Sequence, residues 1–91
     1  MTTVSRTVEV RNKRGLHARA SAKFVTMASQ IDVRVEVEKD GNSVCGTSIM
    51  GLMMLGAAMG DSITISATGT GAELAVEQLA ALVEAKFNEE A

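Results

Sequence analysis

The sequence predicts an α+β domain built as an open-faced β-sandwich: a four-stranded, mostly antiparallel sheet with three helices on one face. Three observations predict it. Three stretches alternate apolar and polar residues, and a short fourth follows an Asp-Gly pair. Three others have apolar residues at helical spacing or behind a capping hydroxyl. The two kinds fall in the order β-α-β-β-α-β-α, with no linker and no internal repeat. Alternating strands give a sheet one apolar face, which the helices must cover. Ninety-one residues suffice for one core, so 1–91 is read as a single domain. Periodicity does not dictate strand order.

The first strand is Thr3–Val10, with Val4, Val8 and Val10 on one face and Ser5, Thr7 and Glu9 on the other. A basic connection, Arg11–His17, contains Gly15. Ala18 to about Gln30 reads as a helix with Phe24, Val25 and Ala28 on one stripe and no interior glycine or proline. Ile31, Val33, Val35 and Val37 then alternate with Asp32, Arg34, Glu36 and Glu38 as a second strand. Asp40-Gly41 supplies positive φ for a tight hairpin, so a third strand around Ser43–Cys45 pairs back through it. Thr47-Ser48 precedes the apolar run Ile49–Leu55, a helix N-cap signature with Gly56 as the stop. Ser62–Ala67 is the fourth strand, with Ile63, Ile65 and Ala67 inward. From about Thr70 to Phe87, Ala75, Leu79, Leu82, Val83 and Phe87 recur at helical spacing in a long amphipathic helix.

Composition narrows the function. Hydrophobic residues at 46% and charged residues at 22% are the mix of an ordinary globular protein. Phe24 and Phe87 are the only aromatics, which argues against base stacking and hence against nucleic-acid binding. Cys45 is the only cysteine, so no internal disulfide and no multi-thiolate zinc site can form, and it is expected as a small core residue on the third strand. The longest low-polarity run, Ile49–Gly60, is twelve residues, too short to span a membrane. Met1–Arg14 lacks the apolar core of a signal peptide, and a cytoplasmic location is expected. The net charge of −2 is unevenly distributed. Residues 1–23 hold six basic side chains against Glu9, a net +5, and the remaining 68 residues hold three basic against ten acidic, a net −7. A basic end on an acidic body suggests a local anion site or an acidic partner.

His17, the only histidine, lies in Lys13-Arg14-Gly15-Leu16-His17-Ala18-Arg19 at the predicted start of the first helix. The first N–H groups of a helix lack internal partners and carry partial positive charge, so they favour an anion, and Arg14 or Arg19 can add charge-assisted hydrogen bonds. Imidazole is nucleophilic at neutral pH, and beside such an anion site it can accept a phosphoryl group. An uninvolved surface histidine fits the same local pattern. No second histidine and no nearby carboxylate pair supports a metal there. Ser48 reads as a helix cap. Met50, Met53, Met54 and Met59 cluster on and after a two-turn helix that cannot bury every side, so part of the cluster is expected to form an adaptable exposed patch. A phosphate on Ser48 would be tolerated at that helix start.

Gly15-Leu16-His17-Ala18-Arg19 and Ser48-Ile49-Met50-Gly51-Leu52-Met53, at this separation, closely resemble the HPr family of phosphocarriers of the bacterial phosphoenolpyruvate-dependent phosphotransferase system, nitrogen-branch paralogues included, from about Val4 to Phe87. The resemblance implies that His17 takes a phosphoryl group on Nδ1 from phosphorylated enzyme I and passes it to an enzyme IIA, with Arg19 contacting the phosphate. It implies regulatory phosphorylation of Ser48 where an HPr kinase/phosphorylase is present, and partner docking through Ile49, Met50 and Met53. It implies no cofactor, no metal and a monomeric carrier. One position departs from the family: Ala20 stands where proline usually follows the arginine, which leaves one more free N–H donor and a less constrained first turn. Two other classes fit the residues. One is a regulatory interaction module that acts through its phosphorylation state, and the other is an anion-binding domain without covalent chemistry.

Overall fold

The computed structural model describes residues 2–89. Strands β1 (Thr3–Glu9), β2 (Arg34–Lys39), β3 (Asn42–Cys45) and β4 (Ser62–Thr68) alternate with helices α1 (Ala18–Ser29), α2 (Ile49–Met54) and α3 (Ala72–Glu84), and a short turn of 3-10 type, Lys86–Asn88, follows. The element order is the one the sequence predicts.

The strands form one sheet in the order β1-β4-β2-β3, and every neighbouring pair is antiparallel. The β2–β3 hairpin closes through Asp40 (φ +52°) and Gly41 (φ +84°), the two positive-φ positions of the tight turn its dipeptide favours. Val8, Val35, Val37, Ile63, Ile65 and Ala67 give the sheet its apolar face, covered by Phe24 and Ala28 of α1 and by Ala75, Leu79 and Val83 of α3. The opposite face is polar. Across β1 and β4 the hydroxyls of Thr3 and Thr68, Ser5 and Ser66, and Thr7 and Thr64 pair at 3.0, 2.9 and 2.9 Å.

The structure changes three expectations. Cys45 is exposed rather than in the core. It pairs with Glu36 in the β2–β3 register, whereas its neighbour Val44 pairs with the buried Val37, so Cys45 belongs to the uncovered face of an edge strand. The second strand begins at Arg34 rather than Ile31: Ile31 and Val33 still pack on the core, but from a bend closed by Val33 N–H on Ile31 C=O at 2.9 Å. The last helix stops at Glu84. Lys86, Phe87 and Asn88 take φ of +58°, +55° and +60°, a left-handed turn that drives Phe87 fully into the core and folds the chain back toward α1.

Candidate functional site

The loop between β1 and α1 is shaped by Gly15. Its φ is +63°, and a Cβ there would run into the Ala57 carbonyl oxygen and lie 2.9 Å from Ala58 Cα. The close approach lets Leu16 N–H donate to Ala57 C=O at 3.0 Å, which ties the loop to the segment after α2. Buried Asn12 donates through Nδ2 to Gly15 C=O at 2.8 Å, and buried Ser21 donates to Leu16 C=O at 3.2 Å. Both sides of the loop are therefore held.

His17 ends this loop as the N-cap of α1, in extended backbone (φ −75°, ψ 179°). Its imidazole does what a serine or aspartate usually does there: Nδ1 accepts from Arg19 N–H at 3.3 Å. The other ring nitrogen, Nε2, meets Glu89 Oε2 at 2.5 Å. Glu89 is held in turn by Asn12 Nδ2 at 3.2 Å. Lys23 Nζ donates to Phe87 C=O at 2.7 Å and fastens the left-handed turn that carries Glu89. Partial burial alone would raise the Glu89 pKa. The hydrogen bonds from His17 and Asn12, with the nearby Lys23 charge, outweigh it and hold the carboxyl below its ordinary range.

Arg14, His17, Arg19, Lys23, Asn88 and Glu89 line a cavity of about 380 Å³. Three of the six basic side chains counted between residues 1 and 23 therefore converge on the histidine. Arg6 instead pairs with Glu84 at 3.4 Å on the sheet edge. A pocket with three cations, one carboxylate and an imidazole at a helix start can take up a small anion beside a nucleophilic nitrogen. Sequence reasoning missed Glu89, Asn12 and Lys23. An acidic residue 72 positions from the histidine reads as solvated charge, and only Asn12, within the Arg11–Gly15 turn, carried a local hint.

Ser48 lies where the sequence places it. As the N-cap of α2 it accepts from Gly51 N–H at 3.0 Å. Leu52 is buried, while Ile49, Met50 and Met53 are exposed, as are Met54 and Met59. Substituting Ser48 by alanine removes the cap and should lower stability by about 1 kcal/mol. Chemical denaturation of the variant checks this.

A small open-faced α+β domain with a histidine capping its first helix in a cationic pocket is the class of protein that fold and site define. The family model described as "PTS HPr component phosphorylation site" matches residues 4–85. The phosphocarrier protein NPr of Shewanella violacea is 39% identical over 89 residues, covering 98% of each chain. The HPr-like protein Crh of Bacillus subtilis is 46% identical over 89% of this chain and 95% of its own. The crystal structure of HPr from Thermoanaerobacter tengcongensis superposes with a TM-score of 0.89 at 45% identity, covering 100% of both chains. The chain belongs to the HPr family of phosphocarriers of the phosphotransferase system.

Proposed function

We propose that His17 accepts a phosphoryl group on Nδ1 from phosphorylated enzyme I and delivers it to an enzyme IIA. The observation that carries this reading is the placement of His17 at the N-terminus of α1, with Nδ1 toward the helix N–H of Arg19 and the pocket cations around it. In the free carrier Nδ1 occupies that N–H. Once its lone pair is committed to phosphorus, the N–H is released and can donate to a phosphoryl oxygen. Ala20, in place of the family's usual proline, adds an N–H in the same turn. A helix end stabilises an anion by about 0.3–1 kcal/mol when exposed and up to ~2 when partly buried, a range suited to a group that must be given up again. Most of the transition-state stabilisation then comes from the docked partner.

Arg19 serves the anion rather than the fold: its side chain is exposed, and the helix contact at this position is made by its backbone. Arg19→Ala should slow phosphoryl transfer about tenfold or more, the loss of a charge-assisted bond, and leave the melting temperature nearly unchanged. Stopped transfer assays and a thermal melt check both halves.

Ile49, Met50 and Met53, all exposed on α2, form the surface on which partners dock. Ser48 is the regulatory phosphorylation site where an HPr kinase/phosphorylase is present. A phosphate there faces the start of α2, so it would alter docking on the adjacent methionines without unfolding the helix. We read the carrier as a monomer acting in the cytoplasm. No helix among the described residues is long and apolar enough to cross a membrane.

The test is incubation with enzyme I, magnesium and phosphoenolpyruvate, followed by intact mass before and after acid. A single acid-labile phosphoryl group is expected. No incorporation from an enzyme I that phosphorylates another carrier would overturn the reading in favour of a regulatory module.

A further inference from the structure

We infer that Glu89 is a positioning residue for phosphoryl acceptance: it holds the proton of His17 on Nε2 and so keeps the Nδ1 lone pair free for attack. The inference rests on the reading of His17 as the acceptor. Two neighbours favour the same tautomer, Arg19 through a long contact and Glu89 through a short one. A backbone N–H can only donate, so the Arg19 contact at 3.3 Å requires Nδ1 to be the acceptor. An ionised carboxylate can only accept, so the Glu89 contact at 2.5 Å requires Nε2 to carry the proton.

Glu89 is built into that place. Asn12, 1% exposed, donates to Glu89 and to the Gly15 carbonyl through the same amide nitrogen, so the carboxylate is tied to the loop that carries the histidine. The left-handed turn at Lys86–Asn88 brings the chain back to α1, anchored by buried Phe87 and by Lys23 on its carbonyl. Glu89 has its pKa lowered in this setting, consistent with a carboxylate that remains ionised.

In the transfer step the Nδ1 lone pair forms the N–P bond. The bond between phosphorus and the donor breaks, and its electron pair leaves with the donor. The Nε2 proton stays where it is, so the ring gains a positive charge. Glu89 faces that charge at Nε2, the ring nitrogen that does not take the phosphoryl group, and stabilises the cation through a charge-assisted hydrogen bond. Transfer onward reverses each step.

The experiment combines two readouts on the full chain. Imidazole 15N shifts of the unphosphorylated protein report the tautomer, and phosphorylation by enzyme I reports the rate, each for wild type, Glu89→Gln and Glu89→Ala. The wild type should show the Nε2–H tautomer. Glu89→Ala should relax to a mixture and be phosphorylated about tenfold more slowly, the loss of one hydrogen bond to a charged group. Glu89→Gln should keep the tautomer, because its amide oxygen still accepts from Nε2–H, and should fall between the two in rate. A Glu89→Ala rate equal to wild type would overturn the inference whatever its tautomer, while leaving His17 as the acceptor. A wild type that takes up no phosphoryl group would overturn the acceptor reading itself. An unaltered tautomer in Glu89→Ala, even with a slower rate, would assign Glu89 a purely structural role and also overturn the inference.

Discussion

His17→Ala is expected to abolish acid-labile phosphoryl incorporation altogether while leaving a folded protein. The ring supplies the nucleophilic nitrogen, and His17 is the only histidine in the chain, so no neighbour can substitute for it. Its structural share is small. It caps α1 through a long contact of 3.3 Å, and cap loss costs about 1 kcal/mol. Asn12 and Ser21 continue to hold the loop after the ring is removed. Intact mass after incubation with enzyme I and phosphoenolpyruvate, beside a thermal melt, checks both statements. Residual acid-labile phosphate in the variant would place the acceptor elsewhere.

The second large effect is structural and falls on a residue that takes no part in the chemistry. Gly15→Ala should destabilise the domain by about 3 kcal/mol, combining roughly 1–2 kcal/mol for left-handed backbone with ~1–3 for overpacking. The new methyl group would meet the Ala57 carbonyl and Ala58 Cα, backbone atoms that no rotamer change can move aside. Relief requires the loop to lift from residues 57–58, which breaks the Leu16–Ala57 hydrogen bond and displaces His17 with it. Denaturant unfolding measures the first consequence. Slower phosphorylation of the fraction that remains folded measures the second. Stability within about 0.5 kcal/mol of wild type, the scatter of an ordinary surface change, would contradict the packing described.

Legibility in the sequence followed the range of the interaction. Elements that depend on near neighbours were readable: the alternation in β1 and β4, the Asp40-Gly41 turn and the Ser48 cap all appear where local chemistry puts them. The order β1-β4-β2-β3 was not readable, because pairing between β1 and β4 joins segments that no periodicity relates. Cys45 illustrates a narrower failure: a four-residue edge strand is too short for alternation to set its phase, so an apolar residue was assigned inward when the hairpin register points it outward. The end of α3 failed for a different reason. Phe87 continues the helical spacing and is indeed buried, yet it reaches the core through a left-handed turn that no glycine or proline announces.

The site divides in the same way. His17, Arg19 and Ser48 could be singled out because a helix start gives local sequence a chemical meaning. Glu89 could not, since its significance lies in the turn that folds it onto the histidine ring. The carboxylate, the buried amide of Asn12 and the Lys23 strap together are what distinguish a positioned imidazole from a histidine that happens to begin a helix.

On the proposed function, one ring nitrogen of His17, Nδ1, carries the phosphoryl group. This assignment is tested most directly by phosphorylating protein labelled with 15N in its histidine and reading the one-bond coupling between 31P and 15N. Phosphorus should couple directly to Nδ1, with the proton retained on Nε2. Direct coupling to Nε2, or a phosphorus signal with no histidine nitrogen attached, would contradict it.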